Sequence, residues 1–114
     1  MKTIKIITGI LFSIAFISCE SSTYDEIGGY VDNPTFTKNI KPIFDNKCTT
    51  CHYAGNNDGI SELIDYTTIR ESIEFGNTLR DIDTIATMPK NSSKLSNATL
   101  KLIYKWKENG YPEN

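Results

Sequence analysis

The sequence predicts an all-α domain, and three observations carry that prediction. Apolar residues recur at helical spacing in three separated stretches: Phe36, Ile40, Ile43 and Phe44; Tyr66, Ile69 and Ile73; Leu100, Ile103, Tyr104 and Trp106. Residues that start and stop helices bracket them, with Thr35 and Ser96 as N-caps and Gly76 and Gly110 as stops. Between the first two stretches, Cys48-Thr49-Thr50-Cys51-His52 sets two thiols and an imidazole at i, i+3 and i+4, which is one face if the segment is helical. No strand–helix–strand alternation surrounds these cysteines.

Taken in order, residues 1–18 read as a secretory leader. Lys2 and Lys5 give it a positive start, and residues 6–17 form a twelve-residue apolar run, short of the about 18 that a membrane span needs. The run closes on Phe16-Ile17-Ser18-Cys19, a small residue followed by cysteine. That ending resembles the bacterial lipobox, with Phe16 where leucine is usual. The resemblance implies cleavage before Cys19, lipidation of Cys19, and a lipoprotein anchored to a membrane outside the cytoplasm, on the periplasmic side or at the cell surface. The competing reading, an uncleaved short anchor, leads to the same compartment.

All fourteen acidic residues follow Cys19 whereas two of the twelve basic ones precede it, so the mature chain carries a formal charge of −4. An acidic surface suits solubility and can steer docking to a basic protein partner. No basic patch points to nucleic acid. Residues 19–33 mix Ser, Gly and acids without an apolar period and read as a flexible tether. Residues 34–114 form the domain.

Thr35 caps the first helix, whose apolar face runs on towards Cys48. Pro42 conflicts with an uninterrupted helix, because it lacks an N–H and its ring meets the carbonyl four residues back. The helix either bends there or starts near Asn39 with Pro42 in its first turn.

Cys-x-x-Cys-His is the attachment signature of c-type haem. Its spacing lets both sulfurs form thioethers to the two vinyl groups on one porphyrin edge while His52 supplies the proximal ligand to iron. Two other readings compete. A redox dithiol belongs in a strand–helix–strand setting, and a structural zinc site needs four ligands. The third cysteine, Cys19, is already assigned to lipid, and none remains for a disulfide.

Residues 53–59 form a loop by composition, and an acceptor for the second nitrogen of His52 is expected within it. Leu63 and Ile64 follow as core or haem-packing residues, and a second helix runs from Asp65 or Tyr66 to Glu74. Residues 77–94 read as irregular and polar, long for an idle connection. Met88-Pro89 sits in the middle, where proline stiffens the loop and favours extended backbone at Met88. His52 is the only histidine, so two imidazoles from one chain are excluded. The sixth ligand is Met88, a solvent or substrate molecule, or an unusual group such as lysine or tyrosine; Met88 as core filler is the bland alternative. Ser96 starts the last helix, which is expected to pack across the first. Its Trp106, like Arg70 or Arg80, is a candidate partner for a haem propionate, with surface charge the plainer role of each arginine.

Together, Ile43-Phe44 after Pro42, Cys48-x-x-Cys51-His52, Met88-Pro89, Leu95-Ser96 and a Trp106-containing final helix ending in Gly110 resemble the small class I cytochrome c domains of bacterial lipoproteins. The look is closest to the planctomycete-type and Bacteroidetes-type domains, over about residues 34 to 112. The resemblance implies an all-α monohaem fold of three to five helices around one covalently attached haem c, with His52 and Met88 as axial ligands. It departs in one place. The Gly-Pro that follows the histidine in mitochondrial-type cytochromes is absent, so its carbonyl cannot be carried over to His52.

With both axial positions filled, the expected function is one-electron transfer between redox protein partners rather than enzymatic turnover. The chain would act as a monomer or as a subunit of a larger complex. Two alternatives stand beside it: a labile sixth ligand, giving peroxidase activity or gas sensing, and a non-redox interaction subunit of a surface complex. The cofactor also supplies apolar core to a small domain, so the haem-free chain is expected to be largely unfolded.

Overall fold

The computed structural model describes residues 31–114; the leader, Cys19 and most of the tether lie outside the described residues. Among the described residues the chain is helical without strands. A π turn, Phe36–Ile40, runs directly into α1 (Lys41–Lys47), followed by α2 (Tyr66–Glu74), a second π turn (Arg80–Thr84) and α3 (Asn97–Glu108). No helix among the described residues is long and apolar enough to cross a membrane.

The start of the first helix resolves the conflict at Pro42 by placing it in the first turn of α1, as one of the two expected solutions has it, with a widened turn before it. Thr35 is the N-cap, accepting from the Lys38 N–H, and its own N–H donates to Asn39 Oδ1 at 2.9 Å. The next turn is then widened. Ile40 and Lys41 donate five residues back, to the carbonyls of Thr35 and Phe36. An α-helical register would press the Pro42 ring against the Lys38 carbonyl; the wider turn removes that clash and places Pro42 in the first turn of α1. The apolar face survives the change of register, because Phe36, Ile40, Ile43 and Phe44 are all buried.

Asp65 opens α2 with a capping box, its carboxylate accepting from the Thr68 N–H at 2.8 Å while Thr68 Oγ1 accepts from the Asp65 N–H at 3.2 Å. These bonds hold the Asp65 carboxyl below its usual pKa. A depressed folded pKa means stability that is present above the ordinary aspartate range and lost as pH falls through the folded value. Asp65→Ala is therefore expected to lower stability at neutral pH by about 1 kcal/mol, with most of the deficit fading in acid. Denaturant titration at the two pH values checks this.

Gly76 closes α2, though by close approach rather than left-handed backbone: a Cβ there would stand 2.6 Å from the Ser72 carbonyl oxygen. Residues 77–94 are less irregular than their composition suggests. The turn Arg80–Thr84 buries Ile82, with Leu79 packed beside the core. Leu79, Ile82 and Ile85 recur there every three residues among charges, a short period that the polar composition of the stretch conceals.

α3 starts on Ser96, whose hydroxyl accepts from the Thr99 N–H at 3.1 Å. It ends in a Schellman motif. Tyr111 N–H reaches Trp106 O and Gly110 N–H reaches Lys107 O, both at 3.0 Å, with Gly110 at φ +80°. The tail then folds back on the first helix: Phe36 N–H donates to Pro112 O at 2.8 Å and Thr37 N–H to Glu113 O at 3.0 Å. Two amides that a helix start leaves unpaired are satisfied this way. Trp106, fully buried, lies between Phe36 and Tyr111 at ring-centroid distances of 5.9 and 4.9 Å. The last helical segment thus packs on the first, as its apolar face predicts.

Candidate functional site

Cys48, Cys51 and His52 are brought together in the turns that continue α1, not in the helix itself. Cys48 N–H and Thr49 N–H still donate to Phe44 O, at 2.8 and 3.0 Å, and Cys51 and His52 both donate to Cys48 O, at 3.1 and 2.9 Å. The last of these bonds is an i→i+4 helical contact, so the motif keeps local helical hydrogen bonding beyond the end of α1. Both thiols are free. Cys51 is exposed, whereas Cys48 is half-buried and packs against the core.

The two thiols differ in chemistry as well as exposure. Burial, and secondarily the neighbouring Cys51, push the Cys48 thiol up to about 11. Cys48 is therefore unsuited to be the attacking thiolate of a dithiol pair, a role that needs a thiolate stabilised near neutral pH. Among the described residues no three His, Cys, Asp or Glu side chains form a group that could hold a metal ion on their own.

A second segment clamps the turn. Leu63 N–H donates to His52 O at 2.9 Å, and Thr49 Oγ1 lies 3.1 Å from Leu63 O. His52 Nδ1 sits 2.6 Å from Ser61 O. A carbonyl oxygen only accepts, so Nδ1 carries a proton, and in the neutral ring the lone pair is on Nε2. The acceptor is thus two residues beyond the loop in which composition locates it. Between these contacts, residues 53–60 close on Asn56, whose side chain binds the backbone at both ends of the loop. Ser61 and Asn56 are the residues that reading the sequence missed. The one signal for them was an asparagine between Gly55 and Gly59, both of which adopt positive φ, +68° and +66°.

Met88 is half-buried against the same core that Cys48 packs on, and its N–H donates to Asp81 O at 3.0 Å. Left-handed backbone stands on either side of it, at Ala86 (φ +48°) and Asn91 (φ +55°). Leu63 is buried and Ile64 half-buried.

Of the candidate propionate partners, Trp106 is engaged elsewhere and the two arginines stand in ion pairs. Trp106 donates its indole N–H to Pro112 O at 2.8 Å, so this buried group has no donor left for a cofactor. Arg70 and Arg80 pair with Glu74 and Asp81, each at 2.9 Å, in line with the surface-charge reading. Cys19 lies outside the described residues.

No protein-family model, curated protein or solved structure matches this chain.

Proposed function

We propose that the chain is a one-electron carrier of the cytochrome c kind, with one haem c attached through Cys48 and Cys51, ligated by His52 and Met88, and held outside the cytoplasm by lipid on Cys19. The observation that carries the proposal is the hydrogen bond from His52 Nδ1 to Ser61 O at 2.6 Å. It selects the tautomer that frees Nε2 for a metal and fixes the ring, beside two free thiols at the spacing of a haem-attachment motif.

The donor set fits the group. Cys48 and Cys51 would hold it by thioether bonds, and His52 Nε2 and the Met88 thioether would ligate its iron. The bound group supplies a one-electron ferric–ferrous couple. Met88, as a soft donor, favours the ferrous state and raises the potential relative to a second imidazole. Two protein ligands leave no open position for substrate, which is why a carrier, and not an enzyme, is the reading preferred.

A second reading rests on the backbone at Ala86 and Asn91. Non-glycine residues at positive φ cost on the order of 1 kcal/mol each, and two of them flank Met88. Such a segment favours release of Met88, and with it peroxidase activity or gas binding.

Absorption spectra of the chain produced with haem-maturation machinery separate these readings. A c-type reduced spectrum unchanged by carbon monoxide supports the carrier; one that shifts with the gas supports the labile ligand. No haem at all sinks both. On the carrier reading, Met88→Ala is expected to keep the covalent haem, bind carbon monoxide when reduced, and show a lower midpoint potential than wild type. A Met88→Ala protein with wild-type gas response and potential would remove Met88 from the iron.

A further inference from the structure

The loop between His52 and its acceptor is organised by one side chain. Asn56 Nδ2 donates to Tyr53 O at 3.1 Å and to Ile60 O at 3.0 Å, and Asn56 Oδ1 accepts from the Ile60 N–H at 3.3 Å. Tyr53 directly follows His52, and Ile60 directly precedes Ser61. One amide therefore ties together the two backbone positions that flank the His52–Ser61 bond. Three of the four hydrogen-bonding capacities of this side chain are used, all across the base of the loop. Gly55 and Gly59 supply the left-handed turns that let the chain wrap around Asn56, and Gly55 N–H is held by Glu62 Oε1 at 2.7 Å.

No apolar packing competes with this arrangement. Residues 53–55 and 57–61 are exposed, with Tyr53 and Ile60 at 46% and 36% exposure. The position of the Ser61 carbonyl is thus set by hydrogen bonds: those of Asn56 join the two ends of the loop, and that from Gly55 N–H to Glu62 Oε1 ties its middle to the segment that follows.

We propose that Asn56 is a positioning residue for His52: by closing the loop it presents the Ser61 carbonyl to Nδ1 and so sets the orientation and donor strength of the imidazole. The inference rests on the proposed haem ligation. An imidazole that donates from Nδ1 to a fixed carbonyl is more basic at Nε2 and stabilises the oxidised metal; releasing the carbonyl weakens that donation. The reduction potential should then rise, although Asn56 itself touches neither the metal nor its ligands.

Two variants test this in the haem-loaded protein. Asn56→Ala removes all three bonds. Asn56→Asp has the same shape and keeps an acceptor for Ile60 N–H, but it loses both donors to the carbonyls. Both are expected to retain covalent haem and to raise the midpoint potential. Amide hydrogen exchange at Ile60 should separate them, accelerating in Asn56→Ala and staying slower in Asn56→Asp. At Leu63, whose N–H bonds His52 O, exchange should accelerate in both, as local opening of the loop requires.

A wild-type potential in both variants, with haem bound, overturns the positioning role and leaves the haem assignment standing. A raised potential with Leu63 exchange unchanged also overturns it, because the loop has then not opened. Wild-type protein without covalent haem overturns the ligation reading, and the positioning role falls with it.

Discussion

The double substitution C48S/C51S is expected to abolish covalent haem altogether. Wild-type chain made with haem-maturation machinery should keep its haem through denaturing electrophoresis, and the variant should show none. Serine matches cysteine closely in shape, so the experiment tests the sulfur and little else. Cys51 is exposed, and its replacement disturbs no packing; Cys48 is half-buried at the edge of the core, where serine costs little compared with deleting a large side chain. Each single variant retains one possible thioether and should carry less haem than wild type. His52→Ala keeps both thiols, so covalent attachment can persist while the spectrum of the ligated iron changes. Haem that survives denaturation in C48S/C51S would sink the attachment proposal. Wild-type chain that acquires no haem would reopen the dithiol reading, with the exposed Cys51 rather than Cys48, raised to about 11, as the attacking thiol.

Much of the helical frame was legible because caps and stops are local chemistry. Thr35, Asp65 and Ser96 do what a short oxygen-bearing side chain does before an apolar period, and Gly110 adopts the positive φ that ends α3. The Cys48-x-x-Cys51-His52 segment was legible for the same reason, as five adjacent residues at fixed spacing. What escaped depends on contacts between distant segments. Tyr111 belongs to the core at φ +61°, past the helix stop, because Trp106 offers it a ring at 4.9 Å. The indole of Trp106 was a plausible propionate donor until the tail brought Pro112 O within 2.8 Å. Ser61 could not be chosen from composition, since its backbone carbonyl is no different from its neighbours' until Asn56 folds the loop. The widened turn before Pro42 was hidden because two conventional solutions to an interior proline were available and the chain uses neither alone.

Trp106→Ala should be the most destabilising single substitution outside the motif. Trp106 is fully buried and touches three aromatic rings, Phe36, Tyr66 and Tyr111, at centroid distances of 5.9, 6.2 and 4.9 Å. Truncation removes the largest fully buried side chain and leaves a cavity that partners from the first helix, α2 and the tail must fill at once. Phe/Trp→Ala changes in cores cost about 3–5 kcal/mol, against a total stability of about 5–15 kcal/mol for an ordinary domain. A further loss follows at Pro112 O, which accepts from both Trp106 Nε1 and Phe36 N–H, each at 2.8 Å. Trp106→Phe separates the two contributions. It keeps most of the apolar volume and loses the indole donor, so it should sit between wild type and alanine. Because Trp106 is the only tryptophan, unfolding should be followed by far-UV circular dichroism rather than fluorescence, with denaturant, in the haem-loaded protein. A Trp106→Ala midpoint close to that of wild type would mean that the aromatic cluster is not what holds the last helix against the first. The tail bonds of Phe36 and Thr37 would then have to carry that contact, and deleting residues 112–114 would become the more damaging change.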